Sequence, residues 1–121
     1  MHQQFIKMNV ETYRSYCLNL KGTSEGFPFD NVTLVIKVGG KIFALFDIEQ
    51  FSSVNLKCDP ERAIDLRENY EGVQPGYHMN KKHWNTIQLN QDVSDDMLIE
   101  LTKHSYELVV ASLPKKIKDE L

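Results

Sequence analysis

Residues 73–89 read VQPGYHMNKKHWNTIQL, and the way this stretch divides decides the fold. Its two ends read as short strands, roughly 73–77 and 84–89, with an irregular connection between them. Pro75 fixes its own φ and has no N–H to donate, so its strand is an edge or starts there. Gly76 permits a bulge or a close approach, and Tyr77 is expected to pack with its hydroxyl outward. The connection gathers His78, Asn80, Lys81, Lys82 and His83, and it leads into Trp84, the only tryptophan of the chain. On a small scaffold, a loop that concentrates such side chains is where function usually sits.

Ahead of this stretch, Asp59-Pro60-Glu61 reads as a helix start: a cap, a proline in the first turn, and an acid near the positive end of the dipole. Ala63, Leu66, Arg67 and Tyr70 continue that helix to a stop at Glu71-Gly72. Further upstream, Val32, Leu34, Ile36 and Val38 alternate with Thr33, Val35 and Lys37, which is strand periodicity. Gly39-Gly40 then marks a tight hairpin, because such turns demand positive φ. The returning strand Lys41–Phe46 is apolar on both faces and is expected to lie centrally, covered on each side. Residues 51–58 form a third strand. The first helix starts at Met8-Asn9-Val10-Glu11, with Asn9 as cap and Val10, Tyr13, Cys17 and Leu20 on one face. Residues 26–29 read as extended or turn-like. After the quoted stretch, Ser94 caps a last helix whose inner stripe is Leu98, Leu101, Ser105, Leu108 and Ser112, with Val109 alongside. Ile99, Tyr106 and Val110 make a second stripe. Pro114 ends this helix and leaves a short basic tail. The order α-β-β-β-α-β-β-α predicts a two-layer α+β domain with a five-stranded antiparallel sheet packed against helices.

The chain of 121 residues suits one domain, 1–121, with residues 1–7 expected to be a loose extension. Hydrophobic content of 41% and charged content of 26% are those of an ordinary globular protein. No apolar run approaches the ~20 residues needed to cross a bilayer and no export signal opens the chain, so a cytoplasmic location away from membranes is expected. In that compartment Cys17 and Cys58 are expected to be reduced, buried and inert. The net charge of −3 runs against nonspecific nucleic-acid binding unless the lysines are gathered on one face.

Each candidate site has a plain structural explanation beside the chemical one. Asn80, Lys81, Lys82 and His83 offer phosphate neutralisation and base or sugar contacts, with His78 adding a second ring. Lys57, Arg67, Lys115 and Lys116 extend that patch if the fold brings them close. The competing account has Asn80 capping a turn, His83 bonding a carbonyl, and Trp84 plugging the core, which is preferred for the tryptophan. A metal site would recruit His78 and His83 with His104 or Cys58, but no CxxC or HxxxH accompanies them and no metal is assigned. Cys58 precedes a helix start, where a thiol can be activated, yet Asp59 opposes this and no histidine adjoins it in sequence. Gly39-Gly40-Lys41 lacks the spacing of a phosphate loop. Asp92, Asp95 and Asp96 read as helix-dipole partners. No enzyme and no cofactor are expected.

The runs FPFDNVTLVIKVGGKIFAL, VNLKCDPERAIDLRENY, VQPGYHMNKKHWNTIQL and SYELVVASLPKK occur in order, and together with the element order they resemble the MmcQ/YjbR family. The resemblance runs from residue 8 to residue 118. It implies a small α+β fold similar to secretion-chaperone-like folds with an open antiparallel sheet. It also implies a DNA-binding protein with a "double wing", two projections that embrace a duplex. On this chain the wings would be the turn at Gly39-Gly40 and the connection from Tyr77 to Trp84. The alternative is a protein-interaction module or homodimer that uses a sheet edge or the second stripe of the last helix. A basic face with that stripe buried favours nucleic acid, and an exposed stripe favours a protein partner.

Overall fold

Each of the three longer helices begins where a side chain accepts one of its first free N–H groups. Asn9 accepts from the Thr12 N–H at 2.8 Å, Asp59 from Arg62 at 3.1 Å, and Ser94 from Met97 at 3.1 Å. The computed structural model describes residues 8–77 and 79–121. The expectations for residues 1–7 and for the His78 side chain lie outside them. The helices are α1 (Val10–Asn19), α2 (Pro60–Asn69), α3 (Asp95–Ser112) and α4 (Lys115–Glu120). The strands are β1 (Thr23–Gly26), β2 (Thr33–Val38), β3 (Lys41–Asp47), β4 (Ser53–Lys57), β5 (Val73–Pro75) and β6 (Trp84–Gln88).

The sheet is antiparallel throughout, in the order β1-β2-β3-β4-β6-β5. The α+β, two-layer class is as expected, but the sheet has six strands rather than five. The extra strand, Thr-Ser-Glu-Gly, is polar and short, so it carries no apolar alternation to read. It joins the edge by backbone pairing, Thr23 with Val38 and Gly26 with Val35, and is tied to α1 by the Arg14–Glu25 ion pair and by the Thr23 hydroxyl, which donates to the Leu20 carbonyl at 2.8 Å. Gly39 and Gly40 close the β2–β3 hairpin at φ 58° and 85°, as a two-residue turn with both φ positive requires. The strand expected over 51–58 is shorter at both ends, because Phe51 turns at φ 40° and Cys58 already leads into α2.

Helices cover one face of the sheet. Leu34, Ile36, Phe46, Val54, Leu56 and Ile87 pack there with Tyr13 and Cys17 of α1, Ala63 and Leu66 of α2, and Leu98 and Leu101 of α3. Three hydroxyls in this layer are paired by position. The Tyr13 hydroxyl meets Thr102 Oγ1 at 2.7 Å. Ser105 Oγ donates to the Phe43 carbonyl at 2.6 Å and accepts from the Lys57 N–H at 2.9 Å, stitching α3 to two strands. These bonds also set the rotation of α3. Its buried residues are Leu98, Leu101, Thr102, Ser105 and Val109, while Leu108 is half-buried and Ser112 exposed, so the expected stripe is turned by hydroxyls that the apolar pattern does not count. Ile99, Tyr106 and Val110 pack against the core, and Tyr106 meets the Phe43 ring edge-on at 5.4 Å. Beyond Pro114 the expected basic tail is the short helix α4. It is held because Leu113 and Ile117 lie against Gly39, and Leu121 against Gly22.

Across the sheet, no helix among the described residues covers the second face. Strand alternation sends Lys37, Leu45, Asn55, Lys57, Trp84 and Thr86 to it. Two connections fold onto this open face instead: residues 27–32, between β1 and β2, and residues 76–83, between β5 and β6. Trp84 is thus not the core plug expected of it. It is half-buried, on the open face, paired across the ladder with Lys57. Its neighbour in sequence, Asn85, takes the core-side place.

Candidate nucleic-acid interface

The 76–83 connection is a braced turn. The Gly76 N–H donates to the Trp84 carbonyl at 2.8 Å, and the Trp84 N–H returns to the Asn80 carbonyl at 3.0 Å. Asn80 Oδ1 accepts from the N–H groups of Lys82 (2.9 Å) and His83 (3.3 Å), the local capping role that competed with its direct-contact reading. The Tyr77 N–H bonds Thr86 Oγ1 at 3.0 Å, drawing the loop onto the open face. Gly76 allows this closeness, since a Cβ there would stand 2.8 Å from Trp84 Cβ and 2.9 Å from its carbonyl oxygen. Arg67, reaching up from α2, locks the turn from below. Its Nε donates to Asn85 Oδ1 at 2.7 Å and its guanidinium also reaches the carbonyls of Lys81 and Trp84 (3.2 Å to the latter). Lys81 and Lys82 are exposed on the resulting platform, and Lys81 Nζ donates to the Gly76 carbonyl at 3.1 Å. Arg67 therefore supports the patch from within instead of extending it.

The ladder registers determine which residues share an end of the sheet. Val38 pairs with Lys41, Lys57 with Trp84, and Pro75 with Asn85, so the β2–β3 turn, the end of β4 and the 76–83 connection all lie at one end. The two turns stand about 14 Å apart, three strand spacings. Helix α4 packs on the first of them at Gly39, bringing Lys115 and Lys116 to the same end, where Lys115 is paired with Asp119 at 2.8 Å. The same packing corrects the first wing: the Gly39-Gly40 turn is not a free projection, because Leu113 and Ile117 press on Gly39. At the opposite end lie Asp47, Asp92 and the α3 start with Asp95 and Asp96. There Asp92 accepts from the Glu71 and Gly72 N–H groups and Asp95 from Met8.

What the sequence reading missed is a cleft on the open face. Phe29 from the first connection and Tyr77 and Met79 from the second line a space of about 570 Å³, with Leu45 and Asn55 on its floor and Asp30 and Asp47 at its rim. The available signal was the Phe27-Pro28-Phe29 run between two strands, since aromatics outside a strand have no core face to enter.

A model of the YjbR family matches residues 18–108 of the chain. The chain belongs to the YjbR family. It is 36% identical over 107 residues to the uncharacterized protein YbdF of Escherichia coli O157:H7, covering 88% of each. It is 32% identical to YjbR of Escherichia coli K12, over 90% of this chain and 93% of that one. Among solved structures it is similar to Deinococcus radiodurans DR2400, a DUF419 domain protein, with TM-score 0.88 and 41% identity across 98% of this chain and 91% of that chain. A Pseudomonas syringae protein aligns with TM-score 0.70 and 28% identity, over 84% of this chain and 98% of that one.

In this YjbR-family protein the thiols are placed for packing. Burial pushes Cys17 up to about 12 and Cys58 up to about 11, so neither is a thiolate near neutral pH. Among the described residues no group of three His, Cys, Asp or Glu side chains converges on a point, and no helix is long and apolar enough to cross a membrane. His104 does carry a pH dependence. Its Nε2 accepts the Asp59 N–H at 3.2 Å, which requires the neutral ring. Burial first, and then Arg62, hold its pKa below 6.5, against the opposing pull of Asp59, Glu107 and Glu100. The unfolded chain takes up a proton near pH 6.5 that the folded chain resists, so stability present above that pH is lost as pH falls below it. A urea midpoint followed from pH 7.5 to 5.5 should decline, and His104→Gln should flatten the decline; parallel curves would remove His104 as its source.

Proposed function

We propose that this YjbR-family chain is a non-catalytic DNA-binding protein that meets the phosphate backbone with the lysine-rich end of its sheet. The observation that supports this reading most is the clustering. Lys37, Lys41, Lys57, Lys81 and Lys82 come to one end by the antiparallel registers and the α4 lysines by packing on Gly39, outnumbering Asp59, Glu61 and Asp119 there, while Asp47, Asp92, Asp95 and Asp96 lie at the other. A net charge of −3 is thus compatible with a locally positive surface. Lys81 and Lys82 sit on a turn braced by Arg67 and Asn80, so they are presented at little further cost in backbone order. The rival reading, a protein partner docked on the second stripe of α3, loses support because Ile99, Tyr106 and Val110 pack against the core.

The test is a titration of labelled DNA at several salt concentrations. Lys81→Ala/Lys82→Ala should stay folded, because both side chains are exposed. Its plot of log affinity against log salt should be shallower by about 0.9 for each phosphate contact removed. A double variant with the affinity and slope of the parent protein would rule out this end of the sheet as the contact.

A further inference from the structure

We infer that the cleft between Phe29 and Tyr77 receives an unpaired base, so that the DNA bound is a single strand and not a duplex. The inference rests on the DNA-binding reading above and specifies its ligand. Phe29 and Tyr77 are 65% and 69% exposed, and they reach the same cleft from two different connections. The chain places two large rings at the mouth of one recess with Leu45 beneath them, an arrangement that offers flat apolar surface to a flat guest. The recess, about 570 Å³, has the size of a small-molecule site and admits a base but no helix or double strand.

Its polar groups sharpen the assignment. Asn55 Oδ1 already accepts from Thr86 Oγ1, which leaves its amide N–H groups to donate, Asp30 and Asp47 only accept, and among the described residues neither lysine nor arginine lines the recess. A phosphate would be repelled there, whereas the amino edge of a base finds acceptors. The cations lie further along the strands. Lys57 follows Asn55 by two residues on the same face, about 6.7 Å towards the lysine-rich end, and Lys37 stands likewise beyond Val35 on β2. Trp84 pairs across the ladder with Lys57, which sets a third ring beside the cation. Phosphate-binding groups and base-binding groups therefore succeed one another along a single open face. A strand lying across it can hold its backbone on the lysines and turn a base into the cleft. A duplex keeps its bases stacked inside and would have to unstack one to use the same surface.

Fluorescence anisotropy decides the matter. A labelled twelve-nucleotide DNA of mixed sequence is titrated alone and annealed to its complement, at one salt concentration. The parent protein is compared with Phe29→Ala and Tyr77→Ala, both exposed positions whose folding circular dichroism verifies. The single strand should bind about tenfold or more tightly than the duplex, and each variant should lose about tenfold for the strand while keeping its duplex affinity. Trp84, the only tryptophan, should be quenched by the strand as an independent readout. Equal or tighter duplex binding, or parental strand affinity in both variants, overturns this inference and leaves the DNA-binding reading in place. No binding of either DNA overturns both.

Discussion

Arg67→Ala should lower the unfolding free energy by about 2–4 kcal/mol, a loss out of proportion to a half-exposed residue. Three acceptors depend on its guanidinium: Asn85 Oδ1 and the carbonyls of Lys81 and Trp84. Asn85 is 1% exposed, and its Nδ2 already has no partner among the described residues. Removing Arg67 would leave that buried amide with neither end satisfied, and the cost of such an orphan exceeds the net value of the bond it lost. Arg67→Lys should recover only part of the loss, because one ammonium on a flexible stem does not reproduce a planar fork that spans three oxygens. Urea unfolding measures both variants. A change under about 0.5 kcal/mol for the alanine form would mean that the turn is held by its own backbone bonds.

Phe46→Ala is expected to cost about 3–5 kcal/mol, a large share of the stability of a domain of this size. Phe46 is 2% exposed near the end of β3 and meets Tyr13 edge-on at 5.1 Å and Phe51 at 5.6 Å. Tyr13 and Phe51 also touch each other at 5.7 Å, so the three rings form a closed set linking α1, the sheet and the turn after β3. Deleting the Phe46 ring takes one of two ring partners from both Tyr13 and Phe51, and they cannot fill the space without moving α1. Thermal unfolding with a matched Phe46→Leu variant separates the terms: leucine keeps most of the volume and should lose less than half as much. Equal losses would show that ring geometry, and not the filled space, carries the stability.

The residues that announced themselves in the sequence were those whose signal is local. Asn9, Asp59-Pro60 and Ser94 begin their helices, and Gly39-Gly40 turns the hairpin, because capping and positive φ are decided within a few residues. β1 was illegible for the opposite reason: Ser24 and Glu25 are exposed, and the strand forms on the edge that β2 offers and on the Arg14–Glu25 pair, both of which come from other elements. The burial of Trp84 was misjudged because residue type favours the core, whereas the register with β4, fixed from Ser53 to Lys57, sends it outward. Of the expected contact residues, Lys81 and Lys82 are exposed where a loop reading puts them. Arg67 turned inward because its acceptors come from 14 to 18 residues away in the chain, a separation at which pattern carries no information. The cleft was invisible for the same reason, as its two rings meet only after the sheet is assembled.

The excess of lysines at one end of the sheet, set against the carboxylates at the other, gives the molecule an electric dipole moment, and that quantity adds to its net charge in deciding how it meets other charged bodies at a distance. A polyanion exerts a torque on such a particle as well as a force. The protein therefore turns as it approaches, and arrives with its β2–β3 and β5–β6 turns foremost before any contact is made. At low ionic strength it should adhere to both cation- and anion-exchange resins, engaging each by a different pole. Salt that shortens the screening length below the size of the molecule would erase this orientation and slow association, on top of the loss of affinity that counterion release brings.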